Sequence, residues 1–147
     1  KTDKEEDADE LFQQHIEAQC KRLRILGFTG TPIIRGNLNA MDKSLLPSLQ
    51  TVCTEILNNI AKHGKPGAFA FILSVGPDAV RIFASNLYNA AINSAPENHY
   101  GTALIQDFAQ QHNGTMTINS ENEEWSLSLT IPLAHQVKLM FSPTEKL

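Results

Sequence analysis

The hydrophobic positions along the chain alternate between helical and strand spacing. A first helix is predicted over residues 10 to 26, where Phe12, Ile16 and Leu23 recur near helical spacing. Basic residues fill its last turns, where cations favour a helix C-terminus. The segment TPIIRGNL that follows is typical of a short strand.

A second amphipathic helix is predicted between Ser44 and Gly64. Ser44 is predicted to cap its N-terminus, and Pro47 is compatible with the helix because it lies in the first turn. Gly64 and Pro66 are predicted to end it. The apolar residues of this helix recur every three or four positions: Leu45, Leu49, Cys53, Ile56 and Ile60.

Two β-hairpins are predicted on either side of a loop and a third helix. In the first, AFAFILSV and VRIFAS flank a Gly-Pro-Asp turn. Residues 87 to 100 show no clear period and are predicted to form a loop. In the second hairpin, TMTIN and WSLSLTI alternate strictly and SENEE joins them, so Trp125, Leu127, Leu129 and Ile131 share one face.

The third helix lies between the loop and the second hairpin. Gly114 is predicted to end it. Its apolar stripe comprises Leu104, Ile105, Phe108 and Ala109.

The order helix, strand, helix, hairpin, loop, helix, hairpin predicts an α+β fold. Adjacent strands suggest antiparallel pairs, and strands with one polar face suggest a sheet that helices cover on one side only. We therefore expect a two-layer α/β sandwich, in which three helices pack on one face of a mixed, mostly antiparallel sheet of about five strands.

Composition narrows the classes of function. The net charge of the 147-residue chain is -4 and no basic stripe is present, so nucleic acid is not an expected partner. The apolar runs are too short to span a bilayer, and no signal peptide is visible. Because the chain begins with Lys1, we expect a fragment of a longer protein. Cys20 and Cys53 are predicted to be reduced thiols, with Cys53 buried, rather than a disulfide or zinc site.

The stretch TEILNNIAKHG carries candidate chemistry. At about 100° per residue, Glu55, Asn59 and Lys62 fall within roughly 60° of one another, with His63 nearer the apolar stripe. An amide oxygen is a hard ligand for Mg²⁺, a cation neutralises phosphate, and a carboxylate orients a nucleophile or accepts its proton. The row therefore suits a magnesium-bound polyphosphate, although the same spacing also fits an ordinary solvated helix face.

EILNNIAKHG resembles the N box of the histidine-kinase and gyrase-type ATPase superfamily. It most resembles the box E-x-x-x-N-x-x-[KR]-H of sensor kinases that pair with LuxR-type response regulators, and all four positions match. Downstream, GTALIQDFAQQHNGTMTINSENEEWSLSLTIPL resembles the family's second glycine box, helix, turn and final hairpin. The resemblance runs from about residue 30 to 134 and implies a Bergerat-type ATP-binding fold.

The two glycine boxes depart from the family pattern. The first box is typically D-x-G-x-G, whereas this chain has SNLYNA, with Asn86 at the aspartate position and with Tyr88 and Ala90 at glycine positions. The second is usually G-x-G-L, and one of its glycines is replaced. These degenerate boxes predict weaker or altered nucleotide binding. The second box comprises Gly101, Thr102, Ala103 and Leu104.

The resemblance implies a role for each candidate residue, with ATP and Mg²⁺ as ligands. Asn59 would hold the magnesium, and Lys62 and His63 would contact phosphates. Glu55 would be catalytic, orienting or deprotonating the acceptor histidine of a separate domain. Asn86 would accept a hydrogen bond from the adenine amino group. Residues 101 to 104 would bind phosphate through backbone N–H groups at a helix N-terminus.

The resemblance also divides the chain and implies partners. Residues 1–28 would be a linker helix from a missing dimerisation domain, 29–136 the ATP-binding catalytic domain, and 137–147 a C-terminal tail. Partners would be that dimerisation and phosphoacceptor domain and a LuxR-type response regulator, within a homodimer. We expect a cytoplasmic domain, with a membrane anchor elsewhere in the protein left open. No histidine has a phosphoacceptor context, so the chain alone should not autophosphorylate.

Two alternatives remain open from sequence. One is a degenerate domain of the same fold that binds nucleotide poorly and acts by protein interaction. The other is a serine kinase of the anti-sigma-factor type, which shares the fold but carries no dimerisation helix. The basic-ended helix over residues 10 to 26 argues against the second alternative.

Overall fold

The computed structural model describes residues 2–88 and 102–133, with the backbone alone for residues 2–9 and 40. Within these ranges, three α-helices and five strands follow the predicted order. A one-turn 3₁₀ helix, Leu38–Ala40, lies between the first strand and the second helix. The helices are α1 Thr2–Ile25, α2 Leu45–His63 and α3 Thr102–Gln111. The strands are β1 Ile33–Gly36, β2 Gly64–Val75, β3 Ala79–Tyr88, β4 Thr115–Glu121 and β5 Glu124–Pro132.

The strands form one five-stranded sheet in the order β1-β2-β3-β5-β4. β1 pairs with β2 in parallel, because α2 carries the chain back between them, and the other three pairings are antiparallel. The predicted α+β fold with a mixed, mostly antiparallel sheet is confirmed. The predicted loop falls partly in β3, which continues to Tyr88, and its remaining residues 89–100 lie outside the described ranges.

The sheet buries one face and leaves the other face half exposed. On the core face, side chains from neighbouring strands line up in cross-strand rows. One row joins Phe71, Ala84 and Leu127, and the next joins Leu73, Ile82 and Leu129, all of which are buried. Ser126, Ser128 and Thr130 face the opposite side, as the alternation predicts. The helices therefore cover only the apolar side.

The start of α2 differs from the prediction in one detail. Ser44 occupies the N-cap position, but its side chain makes no capping hydrogen bond because its backbone is already helical. Asp42 instead accepts a hydrogen bond from the Ser44 backbone N–H at 3.1 Å, and its carbonyl accepts one from Leu45 at 2.9 Å. An aspartate upstream of the helix, rather than the serine, satisfies these free N–H groups.

The end of α3 also differs in detail from the prediction. Asn113, not Gly114, adopts the left-handed conformation, with φ 60°. The Gly114 N–H donates to the Ala109 carbonyl at 2.7 Å, which is the long hydrogen bond of a Schellman motif. Gly114 is needed for close packing instead, since a Cβ there would collide with β5. Leu104, predicted on the apolar stripe of α3, is 41% exposed, whereas Ile105, Phe108 and Ala109 are buried.

Both predicted hairpins are present. The Gly76 N–H donates to the Ala79 carbonyl at 2.9 Å across the first turn. In the second hairpin, Asn122 and Glu123 both have positive φ, as a two-residue type I′ turn requires. The Glu123 carbonyl accepts a hydrogen bond from the Tyr88 backbone N–H at 2.9 Å, so this turn is also joined to the end of β3.

α1 packs against α2 and is part of the hydrophobic core. Phe12, Ile16, Cys20 and Leu23 are fully buried in the main core cluster. Polar contacts flank them: His15 Nε2 lies 2.7 Å from Thr54 Oγ1. The Thr54 hydroxyl already donates to a backbone carbonyl, so the imidazole is the donor in this pair.

The two cysteines are free thiols and are buried among the core residues of α1 and α2. Burial, together with the neighbouring Glu17 carboxylate, raises the pKa of the Cys20 thiol to about 11. Burial first, and the nearby Cys20 second, raise the pKa of Cys53 well above its ordinary value. Both residues therefore serve as protonated packing groups, as predicted for Cys53.

None of the helices that the structure describes combines the length and apolar character needed to cross a membrane.

Candidate nucleotide-binding site

The candidate site lies at the end of the sheet where α2 finishes and α3 begins. α2 ends at His63, and Gly64 both caps the helix and starts β2. A tight turn joins α3 to β4, so the helix runs back along β4 and begins where that strand ends. The C-terminus of α2 and the N-terminus of α3 therefore both lie toward the same end of the sheet.

Asn59 is the most informative of the predicted residues. Its side chain is only 6% exposed, yet neither the oxygen nor the nitrogen of its amide has a hydrogen-bond partner among the described residues. Buried polar groups are normally paired, so an unpaired amide on the N-box face needs a functional or structural reason. The Asn59 amide oxygen, which accepts no hydrogen bond from the described residues, is therefore available to a metal ion or a ligand.

The other N-box residues surround Asn59 on the same face of α2. Glu55 lies one turn before it and is half-buried, while Lys62 is exposed and His63 is half-buried. Within the described part of the chain, neither Glu55 nor Lys62 forms an ion pair or hydrogen bond. The carboxylate and the ammonium group are therefore not neutralised by each other.

An adjacent side of α2, about 100° round the helix from Glu55 and Asn59, is in contact with α1. Thr54 accepts from His15, and Asn58 accepts a hydrogen bond from Arg22. Because these residues are the immediate neighbours of Glu55 and Asn59, α1 fixes the rotation of α2 about its axis. The N-box face is thereby turned away from α1.

Asn86 lies beside the end of α2. It is buried at the core face of β3, and its Nδ2 donates to the Leu87 carbonyl at 2.7 Å. Gly64 provides the space for it, because a Cβ at that position would collide with Asn86 Nδ2. The amide of Asn86 is therefore oriented by the backbone, and its oxygen is left as an acceptor.

The second glycine box is only partly described. Gly101 lies outside the described residues, and Thr102 begins α3 and is half-buried. Ala103 and Leu104 in the first turn are exposed. The first N–H groups of a helix have no intrahelical acceptor, so this turn offers donors and a partial positive charge to an anion.

Trp125 is a buried core residue, as its alternation pattern predicted, and it also lies next to Asn86. It pairs with Asn86 across β3 and β5, and its side chain is 5% exposed. Its indole N–H has no acceptor among the residues that the structure describes. Sequence spacing could not reveal this, because the signal is the register between two strands.

A cleft of about 510 Å³ lies in the groove between α2 and α3. Of the predicted site residues, only Leu104 lines it in the described part of the chain. Its other described lining residues are Ser48, Thr51, Val52, Asp107, Phe108 and Gln111. Ser48 and Val52 lie on the same helical stripe as Glu55 and Asn59, so the cleft continues the N-box face.

Comparison with known proteins gives a structural match only. No family model matches the sequence, and no curated protein matches it. Among solved structures, the catalytic domain of histidine kinase ThkA superposes with a TM-score of 0.61 at 11% identity, covering 85% of this chain and 93% of that one. The chain has the fold of histidine kinase catalytic domains.

Two longer kinases give similar matches. The histidine kinase AdeS of Acinetobacter baumannii has a TM-score of 0.64 at 12% identity, with 82% of this chain and 62% of that chain covered. The blue-light activated histidine kinase EL346 of Erythrobacter litoralis has a TM-score of 0.60 at 12% identity and coverages of 82% and 41%. The chain thus spans about two fifths of the length of the Erythrobacter kinase.

Proposed function

We propose that this chain is the ATP-binding catalytic domain of a two-component sensor histidine kinase. It would deliver the γ-phosphoryl group of ATP to a histidine on a separate dimerisation domain. The observation that carries the proposal is the buried amide of Asn59, which has no partner among the described residues and lies near the end of α2 in a chain with the fold of histidine kinase catalytic domains.

The residues present fit magnesium and a nucleotide. The Asn59 amide oxygen is a hard ligand that no other side chain or backbone group in the described ranges engages, which suits Mg²⁺. The Asn86 oxygen is oriented as an acceptor, which suits the amino group of adenine. When bound, magnesium would neutralise charge on the phosphate oxygens.

Each remaining residue has a role that its position supports. Lys62 is exposed and unpaired within the described residues, so its ammonium group would bind phosphate oxygens together with His63. The N-terminus of α3 would bind phosphate through the backbone N–H groups of its first turn. Glu55 is half-buried one turn from Asn59, where its carboxylate would orient the acceptor histidine or accept its proton.

The finer assignments rest on the N-box resemblance. They are the pairing with a LuxR-type response regulator, the homodimer, and the division of the chain at residues 28/29 and 136/137.

Phosphoryl transfer depends mainly on positioning and charge neutralisation, which the N-box residues supply. The altered glycine boxes should therefore raise the ATP concentration required more than they lower the rate at saturation.

Calorimetric titration of the chain with ATP tests the proposal. We expect weak binding, because both glycine boxes depart from the family pattern. We expect this binding to require Mg²⁺, because Asn59 would hold the ion. Asn59→Ala should weaken Mg-ATP binding at least tenfold, or about 1.4 kcal/mol. Asn58→Ala is the matched control, since that amide is the next residue of α2 but contacts Arg22 of α1. Tight binding without magnesium, or equal losses in both variants, would contradict the role of Asn59.

Phosphohistidine formation in a longer protein that includes the dimerisation domain tests the transfer step. Glu55→Gln should lower labelling strongly while leaving Mg-ATP affinity within about twofold, because the carboxylate acts on the acceptor. The present chain alone should remain unlabelled. If the folded longer protein is not labelled at millimolar ATP, the kinase assignment fails and a domain that acts by protein interaction takes its place.

A further inference from the structure

One cross-strand row on the core face of the sheet is different from the others. In three of the cross-strand rows, every buried side chain is apolar. The fourth, at the end nearest the N-box residues, joins Phe69, Asn86, Trp125 and Ser120. Polar groups therefore concentrate where the sheet meets the end of α2.

Trp125 brings a donor to this row without an acceptor for it. The indole is 5% exposed, and its N–H has no hydrogen-bond partner among the described residues. A buried tryptophan N–H is normally paired, since it can only donate. An apolar side chain at position 125 would fill the core without burying an unpaired donor, so the tryptophan needs another explanation.

Asn86 presents the complementary group next to it. Because its Nδ2 donates to the Leu87 carbonyl, its oxygen is the side that can accept from a ligand. Asn86 and Trp125 are directly paired residues of antiparallel strands, so their Cα atoms lie roughly 4.5–5.5 Å apart. An acceptor and a donor therefore stand side by side on the same face.

We infer that Trp125 is a base-recognition residue, an inference that rests on the proposed nucleotide site. Its indole N–H donates to a ring nitrogen of the purine, while the Asn86 oxygen accepts from the exocyclic amino group. Adenine carries such an amino donor beside a ring-nitrogen acceptor. Guanine carries a carbonyl oxygen in place of the amino group, so it would set an acceptor against the Asn86 oxygen. The pair thus selects adenine over guanine.

The chain contains a single tryptophan, which makes Trp125 its own reporter. Titration of the wild-type chain with Mg-ATP should change the intensity or wavelength of tryptophan emission, with the same midpoint as calorimetric binding.

ATP analogues that lack one ring nitrogen, 1-deaza-ATP and 7-deaza-ATP, identify the acceptor. One of them should bind about five- to tenfold more weakly than ATP.

Trp125→Phe removes the N–H and keeps an aromatic ring. We expect this variant to bind ATP about five- to tenfold more weakly by calorimetry, and to lose the wild-type discrimination between ATP and the sensitive deaza analogue. Its preference for ATP over GTP should fall less, because Asn86 remains. Phe83→Leu is the control, since Phe83 is an aromatic residue exposed on the opposite face of the sheet and should leave affinity unchanged.

The outcomes separate this inference from the proposed function. If calorimetry shows ATP binding but emission does not change and Trp125→Phe binds normally, the inference is overturned and the nucleotide site stands. Tighter binding by Trp125→Phe would show that the indole obstructs the base, which also overturns it. If the wild-type chain binds no nucleotide, both proposals fail. Should Trp125→Phe not fold, the emission change and the analogue series on the wild-type chain still decide.

Discussion

At the scale of single residues, Gly64 shows how packing and the candidate site depend on one position. Its φ is ordinary, so conformational freedom does not explain the glycine. A Cβ there would collide with Asn86 Nδ2 and would lie 2.6 Å from the Ile60 carbonyl oxygen. The glycine therefore allows the end of α2 to approach the part of β3 that carries Asn86.

Gly64→Ala should destabilise the fold because backbone atoms of α2 would have to move. We expect a loss of about 1–3 kcal/mol in the free energy of unfolding, measured by urea denaturation, together with weaker ATP binding. Gly76→Ala is the control, because a Cβ there would meet only the Ala79 carbonyl oxygen at 3.5 Å. The control should change stability by about 0.5 kcal/mol or less, and equal losses would show that Gly64 has no special contact.

Helical spacing predicted which residues share one face of α2 better than it predicted how the helices begin and end. The stripe of Glu55, Asn59 and Lys62 follows directly from helical spacing, and the structure keeps these residues on one face of α2. The left-handed residue at the end of α3 is Asn113 rather than the adjacent glycine, because Gly114 is required for contact with β5. Which residue adopts the left-handed conformation depends on contacts with residues distant in sequence, and the spacing of apolar residues carries no information about these contacts.

At the scale of elements, α1 is packed as a core helix. Four of its residues are fully buried against the remainder of the core, whereas Leu11 on its outer side is 63% exposed. The apolar spacing in the sequence predicted the helix but not its neighbour. The contact between α1 and α2 depends on where α2 lies over the sheet, which the spacing of apolar residues within α1 does not determine.

Ile16→Ala should lower the free energy of unfolding by about 2–4 kcal/mol, because it leaves a cavity in a fully buried site. Leu11→Ala on the same helix should change it by about 0.5 kcal/mol or less. Thermal and urea unfolding of both variants measure this difference. If Ile16→Ala behaves like Leu11→Ala, α1 does not belong to the folded unit and is only a linker.

Among the elements, hydrophobic pattern predicted the type and order of the helices and strands. The two hairpins follow from alternation and turn residues, which are local signals. Sheet order is different, since the parallel pairing of β1 with β2 requires α2 to cross over the sheet. The predicted mixed sheet anticipated such a pairing, but the spacing did not identify the strands that form it.

At the scale of the whole molecule, the two buried thiols predict a loss of stability at alkaline pH. The pKa of Cys20 rises from 9.0 to about 11 on folding, and that of Cys53 rises as well. Above pH 9 the unfolded chain releases thiol protons that the folded chain retains, so the unfolded state binds fewer protons and stability falls as pH rises. Each thiol contributes a slope of up to about 1.4 kcal/mol per pH unit between pH 9 and 11.

Urea unfolding between pH 8 and 11 measures this slope. The Cys20→Ala/Cys53→Ala double variant is the comparison, because it lacks both thiols. Its cavities should lower stability at every pH, but its alkaline slope should be shallower than that of the wild type. The same slope in both proteins would show that other groups cause the alkaline loss.

The Asn59 amide and the Trp125 indole, which have no partner among the residues that the structure describes, have a consequence for the lifetime of the protein in a cell. Each unpaired group costs about 1–3 kcal/mol, and a domain of this size has a total stability of only about 5–15 kcal/mol. A magnesium–nucleotide complex that pairs with them would stabilise the fold by about 2.7 kcal/mol at a concentration one hundred times its dissociation constant. Proteases degrade the unfolded chain, so the cellular abundance of this protein would rise and fall with the supply of its nucleotide.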